Sequence, residues 1–68
     1  DDDAARAIAK HGGKIANALD DIAMIPNLTT QVVREKLFYF LNNSLSLSGG
    51  ISLQISDAVA TAINWLVF

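Results

Sequence analysis

Apolar residues recur at helical spacing over the first third of the chain. At 100° per residue, Ala4, Ile8, Ile15, Leu19 and Ile22 share one narrow face, widened by Ala5, Gly12, Ala16 and Ala23. Arg6, Lys10, Lys14, Asn17, Asp20 and Asp21 fall opposite. The pattern predicts an amphipathic helix over about 3–25. Asp1, Asp2 and Asp3 stand where carboxylates cap a helix and complement its dipole. Gly12 and Gly13 each cost about 1 kcal/mol against Ala in a helix interior, which predicts either one bent helix or two short ones. Pro26 ends the segment. A second helix is expected over about 29–47, with Thr29 or Thr30 as N-cap. Val33, Leu37, Phe40, Leu41 and Leu47 share its face. Phe38 and Tyr39 lie off that face, so one ring of the Phe38-Tyr39-Phe40 run is expected to meet solvent or a partner.

Two readings compete over the middle tract. Ser44 to Ser48 and Ile51 to Ser56 alternate apolar and polar residues on both sides of Gly49-Gly50, which is a hairpin pattern. Ile51, Ile55, Ala58, Val59, Ala62, Ile63 and Leu66 also recur at helical spacing, and an isolated two-stranded hairpin is marginal. The helical reading is preferred and predicts a third helix over about 51–67. Gln54, Asp57, Thr61 and Asn64 form its one polar stripe, about 80° wide at 100° per residue. Ser52 and Ser56 interrupt an otherwise apolar side. Such a helix belongs in a core or against lipid. It is too interrupted to span a bilayer, with Asp57 near its middle. The expected fold is all-α: one helical domain over 1–68, a small bundle of three to four short helices around a central, largely apolar C-terminal helix. Two closures are open. Helix one folds back at Gly12-Gly13 as a fourth rod, or an apolar strip of helix three stays uncovered.

Composition narrows the chemistry. The 68 residues are 51% hydrophobic and 18% charged, the reverse of a disordered balance. A chain this short forms a marginal core and usually needs a staple. It has no cysteine and one histidine, His11, which leaves no disulfide and no His/Cys zinc site. The net charge of −2 argues against nucleic acid as a partner. Serines are many, but His11 has no evident catalytic partner and no phosphate-binding glycine loop is present, so no enzyme and no cofactor are expected. Asp1-Asp2-Asp3 is not a preformed metal cage.

Two features bear on function. Arg6, Lys10, His11 and Lys14 make a basic stripe opposite an apolar face, as interfacial membrane helices do; a solvated bundle face gives the same stripe. Trp65 stands near the C-terminus with Phe68, a placement suited to a membrane interface and equally to a core anchor. A short, apolar, cysteine-free helical chain that opens on Asp1 reads as a processed product or an excised domain, and processing from a secreted precursor fits. It is similar in style to secreted membrane-active defence peptides and bacteriocins, although its acidic net charge departs from their cationic pattern. The expectation is a secreted, non-enzymatic membrane-active peptide. The alternative is a binding or assembly module whose apolar face meets a partner subunit, a second copy or a small hydrophobic ligand. Expected contact residues are Arg6, Lys10, Lys14, Phe38, Tyr39, Ile55, Val59, Ile63, Trp65 and Leu66.

Overall fold

A computed structural model describes residues 2–67. Asp1 and Phe68 lie outside the described residues, and with them part of the expected acidic cap and the terminal aromatic. The chain is an all-α bundle of three helices: α1 (Asp2–Ala23), α2 (Thr30–Tyr39) and α3 (Gly49–Val67). A single π-helical turn, Phe40–Ser44, prolongs α2.

Helix α1 is kinked, two helical stretches meeting at one residue. Its one non-helical residue is His11 (φ −115°, ψ 19°), just before the Gly12-Gly13 pair. No fourth rod forms. The last turn tightens through Met24 N–H to Asp21 O (3.2 Å) and Ile25 N–H to Ile22 O (3.0 Å). Asn27 then takes a left-handed conformation (φ 58°), which asparagine tolerates better than most residues. Thr29 caps α2, its hydroxyl accepting from Val32 N–H at 3.2 Å.

The hairpin reading of the middle tract is overturned by how α2 ends. In the π-turn, Leu45 N–H reaches back five residues to Phe40 O (3.2 Å), and Leu47 N–H reaches Leu41 O (3.0 Å). Between them Ser46 is left-handed (φ 56°). The result resembles a helix-ending Schellman closure widened by one residue. Asn42 Nδ2 clamps it by donating to Leu47 O at 2.9 Å. Leu45 and Leu47 both turn inward and pack on the core. Their alternation with serine therefore reflects a turn, not a pleat. Gly49-Gly50 is likewise no break, because it forms the first turn of α3. Ser48 caps that turn, accepting from Ile51 N–H at 3.2 Å.

Two polar links fix the topology. Thr30 Oγ1 donates to Asn64 Oδ1 (2.8 Å) and Arg34 Nε donates to Asp57 Oδ1 (3.0 Å). As α2 advances, its partners recede along α3, so the two helices are antiparallel. They form the most intimate pair, and α1 lies against both. Val33, Leu37 and Leu41 are fully buried and meet Ile55 and Ala60 from α3. Ser52 and Ser56 are also fully buried. Ser56 Oγ donates to Leu53 O (3.1 Å), so its hydroxyl is satisfied within its own helix. From α1 the core receives Ala4, Ala7, Ile15 and Ile22. The face that α1 buries is rotated from the expected one toward Ala7 and Ala18. Ile8, Ala5, Gly12, Ala16 and Ala23 are exposed. Small residues let helix backbones approach closely, which a wheel weighted by hydrophobicity overlooks.

Candidate functional site

The apolar stripe of α3 runs off the end of the bundle. Ile55, Val59, Ile63 and Leu66 follow one another at helical spacing. Ile55 is 1% exposed, Val59 and Ile63 are half-buried, and Leu66 is 84% exposed. The helix outlasts the elements that cover it. Asn64, held by Thr30, marks the last turn tied to α2. Beyond it Trp65 is also 84% exposed. The sequence from Ala58 to Val67 carries no charge, so nothing ionic would oppose burying these turns against an apolar medium. Two large apolar side chains in water at one helix end are what an interaction surface presents.

The other expected contact residues are dispersed. Ile55 belongs to the core, because the α2 stripe of Val33, Leu37 and Leu41 closes over it. Arg6 is ion-paired to Asp3 at 3.0 Å, both side chains more than two-thirds exposed, so the pair contributes under about 1 kcal/mol. Lys10 and Lys14 are exposed on α1. Of the three consecutive rings, Phe38 and Phe40 are half-buried and Tyr39 is 66% exposed. The antiparallel pairing puts Tyr39 at the end of the α2–α3 pair opposite Trp65, so the two aromatics do not share a patch.

The polar stripe of α3 has a structural role along one edge. Asp57 and Asn64 are its links to α2, while Gln54 and Thr61 are exposed. Leu53, which the sequence reading did not single out, is more than half exposed. Its place beside the polar stripe on the wheel was the available signal. Among the described residues no helix is long and apolar enough to cross a membrane, and no group of three His, Asp or Glu side chains could hold a metal ion.

No curated protein and no solved structure matches the chain. The family model described as Uncharacterised protein YqxI matches residues 1–66, nearly the whole sequence, and the chain belongs to that family.

Proposed function

We propose that the chain is a secreted, non-enzymatic membrane-active peptide of the defence or toxin type, which docks on lipid through the uncovered end of α3. The observation that carries this reading is the exposure of Trp65 and Leu66 on a charge-free helix end. Tryptophan favours the water–lipid boundary, where its ring is half solvated. Burying the two side chains is worth about 1.5–3 kcal/mol each, enough for weak, reversible docking and too little for permanent anchoring. Lys10 and Lys14 add attraction to anionic headgroups, but the net charge of −2 limits that term. Deeper insertion would require α3 to leave α2 and expose Ile55, Val59 and Ile63 along the same stripe.

The reading is tested by dye release from vesicles of mixed zwitterionic and anionic lipid. Wild-type peptide is expected to release dye at micromolar concentration. Leu66→Glu should cut release severalfold while circular dichroism stays unchanged, because Leu66 contributes nothing to the core. Ile55→Asp would place a charge in the core and is not a clean probe. Equal release by wild type and Leu66→Glu would contradict docking through this end. Association that grows with peptide concentration without lipid would instead favour an assembly module using the same surface.

A further inference from the structure

A groove of about 610 Å³ runs between the C-terminal half of α1 and the far end of α2 with its π-turn. Its apolar lining comes from Ala18, Ile22 and Ile25 on one side and Phe40 and Leu45 on the other. Its charged lining is Lys14 and Asp21 from α1 and Lys36 from α2. We infer that this groove binds a single-chain amphipathic anion, the alkyl chain lying on the apolar lining and the carboxylate head held by Lys14 and Lys36.

Three observations converge on that ligand class. The volume falls in the range of about 300–1,000 Å³ typical of small-molecule sites. The groove also inverts the charge of its chain: two lysines face one carboxylate in a molecule of net charge −2. Arg6 and Arg34, by contrast, are engaged with Asp3 and Asp57 away from the groove. With two lysines against the single carboxylate of Asp21, the lining favours an anionic head over a neutral or cationic one. Finally, the π-turn shapes the site. Phe40 and Leu45, which line the groove, are the two residues joined by its i to i−5 hydrogen bond. A π-turn is an ordinary helix ending, and here it sets where these two side chains stand against α1. The groove is open along one side, so the head group can reach solvent while the chain rests on Ile22 and Phe40. None of the lining comes from the end of α3, and Lys14 is the one residue shared with the proposed membrane docking.

The test is an amide NMR titration of the intact chain with sodium decanoate below its micelle concentration. Decanol and decyltrimethylammonium serve as neutral and cationic probes of the same chain length, and Trp65 emission is followed in parallel. Decanoate should shift the amides of Lys14, Ala18, Ile22, Phe40 and Leu45 and leave Trp65 emission unchanged. Lys14→Glu or Lys36→Glu should weaken binding about tenfold, the worth of one charge-assisted contact. Lys14→Gln and Lys36→Gln repeat the comparison should either reversal disturb folding. Decanol should bind more weakly and the cationic probe not at all. Shifts concentrated at 58–67, decanol binding as tightly as decanoate, or no shift with decanoate would each overturn the assignment.

Discussion

At the scale of single residues, burial here follows size as much as polarity. Ser52 and Ser56 read as blemishes on an apolar face, yet both are fully buried where α3 packs. Ser56 illustrates why. Its hydroxyl bonds to Leu53 O, so burial leaves no polar atom unsatisfied, and its small volume fits a close helix approach. Ser56→Ala should therefore change stability by less than about 1 kcal/mol, because it removes a modest hydrogen bond and adds helix propensity. Ser56→Leu should destabilise by about 1–3 kcal/mol through overpacking. Chemical denaturation of both variants checks the contrast; a Leu variant as stable as wild type would mean the interface is loose. The sequence made Leu37 and Leu41 legible as core, since each lies on a periodic apolar face; Ile55 lies on such a face too, but the same periodicity suits a contact residue and does not say that α2 closes over it. It did not make Ala7 and Ala18 legible, because alanine's weak hydrophobicity is silent about which helix face can come closest to a neighbour.

At the scale of elements, local rules carried most of the reading. The Thr29 cap, the three helical tracts and the polar stripe of α3 all follow from capping chemistry and 3.6-residue periodicity. The tract 44–50 did not yield to those rules. Three serines alternating with two leucines satisfy a strand template, and only the left-handed Ser46 and the π-turn register explain why both leucines point inward. Such a closure is set by which carbonyls the turn must satisfy, and periodicity carries no trace of it. The bend in α1 offers a prediction. A Cβ added at Gly13 would meet nothing within 4 Å, and the residue has no left-handed conformation to protect. Gly13→Ala should raise stability by about 0.5–1 kcal/mol, mostly by restricting the unfolded chain. Thermal unfolding checks this, and a destabilised variant would show that the bend needs glycine.

At the scale of the whole molecule, three helices close without a fourth. The radius of gyration is 11.1 Å, against about 10.9 Å for a compact chain of this length. The core is covered; Ile8, Met24, Tyr39 and Leu53 are exposed singly, and two large apolar neighbours stand exposed together at the last turns of α3, past the point where Thr30 holds Asn64. An apolar C-terminal helix was visible in the sequence. That its middle would be sealed and its end open was not, since that depends on where α2 begins relative to α3. The proposed docking uses that open end.

Trp65 is the only tryptophan and stands at that end, so its fluorescence reports on the claim without a label. In buffer its emission should be that of a solvated indole. On titration with phosphatidylcholine vesicles, with and without phosphatidylglycerol, it should shift to the blue and become shielded from aqueous quenchers. Half-saturation should depend only weakly on salt, because the driving contact is apolar. Emission unchanged at high lipid in both vesicle types, with the helical spectrum intact, would contradict docking through α3.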